Sequence, residues 1–296
     1  MGPLSTEDAP RDAIDRMPMK DMIDVLLGAH EQGLAAARHS RQEILRAVER
    51  AVERLRTPAS RLIYCGAGTS GRIGLLDGVE LRPTFGWPSD RLHVLMAGGA
   101  DSSTEAVEGA EDDQDAGRMG IEEANVGPED VVLGLAASGT TPFTIAALET
   151  ARARGALTIG ACNNADAPLM DACEVAVHLD TGGEVLAGST RLAAGTSQKA
   201  FLNTFSTAVM VRLGHVHDGL MVDMEVTNRK LRDRAVRIVA QIAGVDRDEA
   251  DRALVAASLK IKPAVLIALG STPIEAEQRL RRSEGILGRA IQTSGT

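Results

Sequence analysis

Five short apolar runs, separated by stretches of helical spacing, constrain the fold of this chain more than any other feature. The runs cover residues 62–65, 92–96, 131–136, 157–161 and 175–179. The intervening sequence predicts helices over residues 72–79, 104–115 and 142–154. Apolar strands that alternate with helices form a mostly parallel sheet covered by helices on both faces. The predicted fold class is therefore α/β, with ligand sites beyond the carboxyl ends of the strands.

The sequence on either side of this alternating region is predicted to be helical. Apolar residues recur at helical spacing from Lys20 onward and again between Ile44 and Leu55, which predicts two helices before the first strand. A long helix is predicted over residues 189–213, and the charged sequence after Leu231 predicts a small subdomain of three or more helices. The predicted regions are an extended arm (residues 1 to about 17) and two helices within 1–60, an α/β domain over 61–230, and a helical subdomain over 231–296.

The composition argues against several classes of function. Aromatic residues make up 2% of the chain and its net charge is −9, so stacking platforms and a basic surface for nucleic acid are not expected. No run approaches the roughly 18 apolar residues of a membrane span. Cys65, Cys162 and Cys173 form no CxxC pair and lie in or beside apolar runs, as reduced core cysteines do. We expect a cytoplasmic protein without nucleic-acid or membrane partners.

The first glycine-rich loop follows the apolar run 62–65 and precedes a predicted helix. A strand, a tight turn and a helix in this order place unpaired N–H groups at a helix N-terminus, where a phosphate is favoured. The glycines of this loop match the dinucleotide-binding fingerprint. In that fingerprint an acidic residue that binds the ribose is expected at the end of the run 92–96, and no acidic residue ends this run. We interpret Gly68, Thr69 and Ser70 as anion-binding residues. A tight turn without a ligand is the alternative interpretation.

A second loop of the same kind follows the run 131–136. Pro142 suits the first turn of the next helix, so Ser138, Gly139, Thr140 and Thr141 surround a second N-terminus that can accept an anion. Thr141 alone is explained equally well as a simple N-cap. Two such loops at one end of a parallel sheet predict a ligand that is held from two sides.

A third polar segment, residues 183–199, combines hydroxyl groups with two cationic side chains. Arg191 and Lys199 lie near the predicted start of the long helix, where they can bind an anionic group. The alternative is a capped helix whose basic face is simply solvated. The sequence does not choose between these interpretations.

Several side chains are candidates for acid–base or metal chemistry. Glu80 lies at the end of the helix after the first loop, and Glu108 and Glu111 are spaced so that a helix would present both on one face. Either glutamate of that pair is as easily solvated as catalytic. His215 and His217 are two residues apart, but no third metal ligand is evident nearby. No metal site is predicted.

Five motifs in order resemble those of the N-acetylmuramic acid 6-phosphate etherases, which have the sugar isomerase (SIS) fold. The motifs are GAGTSGRIGLLDGVE from Gly66, VEGAED from Val107, AASGTTPF from Ala136, AGSTRLAAGTSQK from Ala187 and LMVDMEVTNRKL from Leu220. The resemblance implies an SIS-type sheet and cleavage of the D-lactyl ether of N-acetylmuramic acid 6-phosphate in cell-wall recycling. It also implies that no cofactor is needed, that Glu80 and Glu111 are the acid and base, and that the two hydroxyl-rich loops bind the sugar phosphate. SIS domains commonly pair, so a homodimer is expected.

Two departures from the family pattern leave alternatives open. The usual Glu-Cys-Pro-Pro run is Glu80-Leu81-Arg82-Pro83 here, and a usual lysine is replaced by Ala193. Another sugar phosphate is therefore an alternative substrate. An aldose–ketose isomerase and a sugar-phosphate-binding regulator without catalysis are the alternative functions, since relatives of the family include a regulatory protein of glucokinase.

Overall fold

A computed structural model describes residues 5–7, 13–105 and 107–292. The chain forms two compact units. The first contains Met1–Gly78 and Ser89–Val209, and the second contains Val79–Pro88 and Met210–Thr296.

The first unit is built on a five-stranded parallel sheet, which confirms the predicted α/β fold class. Its strands are β1 (Leu62–Gly66), β2 (Leu92–Met96), β3 (Val131–Leu135), β4 (Leu157–Cys162) and β5 (Val175–His178). They lie in the order β2-β1-β3-β4-β5. Every residue of β1, β3 and β4 is buried, as expected for strands covered on both faces.

Helices pack on both faces of this sheet. They are α1 (Met19–His39), α2 (Arg41–Leu55), α3 (Gly68–Phe85), α4 (Gln114–Glu123), α5 (Pro142–Ala153), α6 (Pro168–Ala172) and α7 (Ala193–Arg212); α3 and α7 end in the second unit. Ile63, Cys65 and Val132 pack with α4, α5 and α6 in one apolar cluster. Tyr64 points to the other face, where it approaches Gly74 of α3. Hydrophobic burial on both faces thus holds the sheet in place.

One predicted helix is wrong. Among the described residues of 104–115 there is a short 3₁₀ turn, Ala110–Asp112, and α4 begins only at Gln114, near the end of the range. Gly109 has a left-handed φ of 72°, which interrupts a helix, and the Asp113 side chain accepts a hydrogen bond from the Ala116 amide to start the next one. Glu108 and Glu111 therefore do not share a helix face.

The N-terminal segment also differs from the predicted extended arm. Residues 1–4 and 8–12 of that arm lie outside the described residues. The described parts form two 3₁₀ turns, Ser5–Glu7 and Ile14–Arg16. The predicted helices before the first strand are confirmed, but the long helix begins at Ala193 rather than at Ser189.

The second unit is mainly helical, as predicted for the sequence after Leu231. A short antiparallel pair, β6 (Val216–His217) and β7 (Leu220–Met221), precedes its helices. The helices are α8 (Arg229–Ala243), α9 (Arg247–Ala256), α10 (Ile261–Ala268), α11 (Pro273–Arg282) and α12 (Leu287–Gln292). Their apolar faces form one buried cluster that includes Val239, Leu254 and Val265.

The close approach of α3 to β1 makes a specific prediction about stability. A Cβ at Gly71 would lie 2.8 Å from the Gly66 carbonyl oxygen. We expect Gly71→Ala to lower the free energy of unfolding by about 1–3 kcal/mol, because backbone has to move. Gly28→Ala is the matched control: its Cβ meets nothing within 4 Å, and alanine should stabilise α1 by about 0.5–1 kcal/mol. Urea unfolding measures both, and equal effects would contradict the assigned contact.

Candidate active site

The two predicted anion-binding loops lie on adjacent strands. The loops follow β1 and β3, which pair directly, with Gly66 opposite Leu135. The chain leaves β1 through α3 toward β2 and leaves β3 through α5 toward β4, so the connections diverge between these strands. Such a switch point opens a crevice at the carboxyl end of the sheet, where ligands of α/β proteins bind.

The first loop brings hydroxyl groups to the start of α3. Gly66 and Gly71 pack backbone against backbone, and Gly68 begins the helix with a φ of 51°. Thr69 and Ser70 occupy the first turn, where helix N–H groups have no intrahelical acceptor. Ser70 is buried, whereas Thr69 is half-buried and faces an open pocket. That this loop binds an anion remains a prediction.

The second loop is organised by its own residues. The Ser138 hydroxyl accepts a hydrogen bond from the Thr140 amide at 3.1 Å. Gly139 has a φ of 70°, and a Cβ there would lie 2.4 Å from the Ala167 Cβ, so glycine is required twice over. Thr141 occupies the N-cap position of α5, but its side chain makes no capping hydrogen bond. The first turn of α5 therefore has no capping acceptor from Thr141.

Asn164, which the sequence analysis did not single out, holds this second loop in place. Its side-chain nitrogen donates to the carbonyl oxygens of Ala137 (3.1 Å) and Ser138 (3.2 Å). Its side-chain oxygen accepts from the Ser5 hydroxyl at 3.0 Å and from the Thr6 amide at 3.2 Å. The one available signal was position, since Asn164 follows β4 at the same end of the sheet as the two predicted loops.

Thr69, Arg191 and Lys199 line a single pocket of about 720 Å³. The other lining residues are Leu34, Ile73, Gly195, Thr196, Ala200 and Asn203. Among the described residues, neither Arg191 nor Lys199 forms an ion pair. A pocket of this size can hold a small polar ligand, and two unpaired cations favour an anionic one. The structure thus joins the first loop to the third segment.

The start of α7 is not an anion site, because a carboxylate of the protein occupies it. Glu184 is 2% exposed, and its two carboxylate oxygens accept from the amides of Ala193 (3.1 Å) and Ala194 (2.9 Å). The helix is therefore capped, as the alternative interpretation expected, while the role of its basic residues remains a prediction. Arg191 and Lys199 still face the pocket, so their predicted role in binding does not depend on the helix end.

The two predicted acid–base glutamates are both exposed. Glu80 lies on the part of α3 that belongs to the second unit, and Glu111 lies in a 3₁₀ turn of the first unit. Arg82, next but one to Glu80, is paired with Glu225, with Nε 2.8 Å from Oε1. The loop before Glu111 is held by Arg72, which donates to the carbonyl oxygens of Ser102 and Glu105.

The cysteines are buried and free, as predicted. Burial raises the pKa of Cys65 and of Cys162 to about 12 and the pKa of Cys173 to about 11. These thiols therefore stay protonated near neutral pH and do not supply a thiolate nucleophile.

His215 lies 2.9 Å from Asp223 through Nδ1 and Oδ2, within the second unit. No group of three or more metal-binding side chains occurs within residues 5–7, 13–105 and 107–292. Within these ranges, each helix is too short or too polar to span a lipid bilayer.

The parallel sheet and the loops at its switch point define an SIS-domain protein. Residues 114–208 match the SIS domain family, and residues 43–152 match the N-terminal SIS domain of the glucokinase regulatory protein. The chain is 48% identical, over 93% of its length and 88% of the relative's, to an N-acetylmuramic acid 6-phosphate etherase of Deinococcus radiodurans. An etherase of the same name from Mycolicibacterium smegmatis is 44% identical over 94% of this chain and 93% of its own. The chain belongs to the N-acetylmuramic acid 6-phosphate etherase family.

A solved structure with the same fold is a candidate phosphosugar isomerase from Bacteroides fragilis. It is 21% identical with a TM-score of 0.50, and the match covers 68% of this chain and 95% of the other. At this identity the likeness supports the SIS fold alone. The predicted family and fold are both confirmed.

The Glu184 cap predicts a contrast between two helix starts. We expect Glu184→Gln to lower the free energy of unfolding by about 1.5–3 kcal/mol, because an amide NH₂ would face a backbone donor in a buried site. Asp113→Asn is the matched control at α4, where an exposed amide oxygen can still accept from Ala116. Its expected change is a few tenths of a kcal/mol. Similar losses in urea unfolding of both variants would contradict the buried double cap.

Proposed function

We propose that this chain is a carbon–oxygen lyase that cleaves the D-lactyl ether of N-acetylmuramic acid 6-phosphate. The products are N-acetylglucosamine 6-phosphate and D-lactate, and the role is recycling of cell-wall amino sugars. Membership of the etherase family carries this proposal. The pocket with Thr69, Arg191 and Lys199 supports it, because the substrate has two anionic groups, a phosphate and a carboxylate.

The proposed reaction is an elimination followed by addition of water. In the ring-opened sugar, a carboxylate removes the proton at C2, a C2–C3 double bond forms, and the C3–O bond breaks. A carboxylic acid gives its proton to the departing lactate oxygen. Water then adds at C3 and a proton returns to C2, so the net reaction consumes one water. Glu80 and Glu111 are the proposed acid and base, with the division between them left open.

The proposed substrate contacts follow the two loops and the pocket. Ser138, Gly139, Thr140 and Thr141 surround the start of α5, which offers backbone N–H groups to an anion. Gly68, Thr69 and Ser70 do the same at α3. Arg191 and Lys199 supply positive charge from the third segment. This set gives the sugar phosphate a binding site without a metal ligand.

The acid–base assignment predicts large losses of rate. We expect Glu80→Gln and Glu111→Gln each to lower kcat for D-lactate release by about 10²–10⁴-fold, since an amide cannot exchange the required proton. Glu108→Gln is the matched control, because Glu108 is exposed in the same loop and has no assigned role. A lactate assay on purified protein measures all three variants. If Glu108→Gln lost activity while Glu111→Gln kept the parent rate, the assignment of Glu111 would be wrong.

A regulator that binds sugar phosphates without cleaving them is the second candidate. The match of residues 43–152 to a domain of the glucokinase regulatory protein favours it. The lactate assay separates the two functions. Binding of N-acetylmuramic acid 6-phosphate by the parent protein without release of D-lactate would support the regulator and reject the lyase.

We also propose that the protein works in the cytoplasm. Its three cysteines are free and buried, and unpaired cysteines are typical of proteins in a reducing compartment.

A homodimer is the proposed assembly, and one side of α1 supports it. Met19, Ile23, Leu27 and Leu34 are spaced along one side of α1 and are 48–68% exposed. None of the residues from Met19 to Gly28 is buried. An apolar stripe of this kind is typical of a surface that packs against another protein. A second copy of this chain is the proposed partner.

The stripe predicts how the dimer can be broken. We expect Ile23→Lys combined with Leu27→Lys to convert a dimer into a monomer, because two charges would be buried at an apolar contact. Asp24→Lys on the same helix is the charge-matched control and should leave the dimer intact. Light scattering after gel filtration measures the mass of each variant. A dimer that survives the double substitution would exclude this face as the interface.

A further inference from the structure

A buried carboxylate, Asp77, joins three elements of the first unit without taking part in the proposed chemistry. It lies on α3 with 2% of its surface exposed. One of its oxygens accepts from the Tyr64 hydroxyl of β1 at 2.7 Å. The other accepts from the Asn203 side-chain nitrogen of α7 at 2.5 Å and from the Ser206 hydroxyl at 3.2 Å. A buried charge needs such partners, and Asp77 has three.

This network determines which way the Asn203 amide faces. A carboxylate can only accept hydrogen bonds, so the NH₂ group of Asn203 must face Asp77. Burial first and the charge of Asp77 second raise the pKa of Tyr64 well above its usual value, so Tyr64 stays protonated and donates its hydroxyl to Asp77. The Asn203 oxygen has no protein partner among the described residues, and Asn203 lines the pocket. The pocket therefore gains a hydrogen-bond acceptor of fixed orientation.

An acceptor is unusual among the polar groups of this pocket. Arg191 and Lys199 are donors only, the Thr196 hydroxyl is hydrogen-bonded to His30 Nδ1 at 2.6 Å, and the Thr69 hydroxyl can rotate. Asn203 is four residues from Lys199 on α7, so both side chains lie on the same side of that helix. The arrangement suits a ligand in which an N–H or O–H donor lies beside an anionic substituent.

We infer that Asn203 is a specificity-determining residue, which accepts a hydrogen bond from the substituent at C2 of the sugar, and that Asp77 is its positioning residue. This inference rests on the proposed function. In the proposed substrate the acetamido N–H at C2 is next to the carbon that bears the anionic lactyl ether. Arg191 and Lys199 attract the lactyl carboxylate, while the Asn203 oxygen accepts from the acetamido group. Without Asp77, the Asn203 amide is free to rotate and to present its NH₂ instead.

The test compares the binding of two sugar phosphates by calorimetry. N-acetylglucosamine 6-phosphate has a donor at C2, and 2-deoxyglucose 6-phosphate has none. We expect the parent protein to prefer the first, and Asn203→Ala and Asp77→Leu each to reduce that preference about tenfold, the value of one hydrogen bond. Tyr64→Phe is the matched control, because it removes one hydrogen bond from Asp77 but leaves the bond to Asn203. It should lower stability and keep the preference.

Three results would overturn the inference. They are a parent protein that does not distinguish the two ligands, an Asn203→Ala variant with the parent preference, and a Tyr64→Phe variant that loses as much preference as Asp77→Leu. Asn203 is exposed, so its variant tests the inference even if Asp77→Leu does not fold. Failure of the proposed function is distinguishable: a parent that discriminates between the ligands but releases no D-lactate rejects the lyase and keeps the role of Asn203.

Discussion

The backbone contact between Gly66 and Gly71 is the constraint on which the first unit depends. It lets α3 start directly against the last residue of β1, with a Cβ of either glycine only 2.8–3.0 Å from the other's backbone. Two more glycines, Gly74 and Gly78, keep α3 close to the Tyr64 ring along the next two turns. Because α3 lies this close to the sheet, its first turn places hydroxyl groups at the crevice. Further along α3, Asp77 lies within hydrogen-bonding distance of α7. One stretch of small residues thus sets both the first hydroxyl-rich loop and the network behind it.

Polar side chains divide the helix starts of this unit into closed and open ones. Asp113 and Glu184 close α4 and α7, because each supplies an acceptor for backbone N–H groups. At α5 the N-cap residue Thr141 supplies none. An anionic ligand at the start of α5 could accept from backbone N–H groups that the Thr141 side chain does not use. At the start of α7 the same ligand would be repelled by the carboxylate of Glu184. The same residue types in neighbouring loops therefore have different chemical consequences.

Local patterns predicted most of the fold but few of the supporting contacts. The buried strands were evident as apolar runs, and the two hydroxyl-rich loops were evident from their glycines. The prediction of a helix over residues 104–115 was wrong because Gly109 adopts a left-handed conformation, which the neighbouring sequence does not indicate. Asp77 and Asn164 were missed for another reason, because their hydrogen-bond partners are distant in sequence. Asp77 accepts from Asn203, and Asn164 accepts from Thr6. Only a folded chain brings such pairs together.

The link between Asn164 and the N-terminal turn has a thermodynamic consequence. Thr6 is buried and hydrogen-bonded to Asn164, and Asn164 also holds the carbonyl oxygens of Ala137 and Ser138. The ordering of the N-terminal turn and the ordering of the second loop are therefore energetically coupled through Asn164. By reciprocity, a ligand that orders the loop must also slow hydrogen exchange at the Thr6 amide. Exchange at the Thr6 amide would thus report a ligand bound at a loop more than a hundred residues further along the sequence.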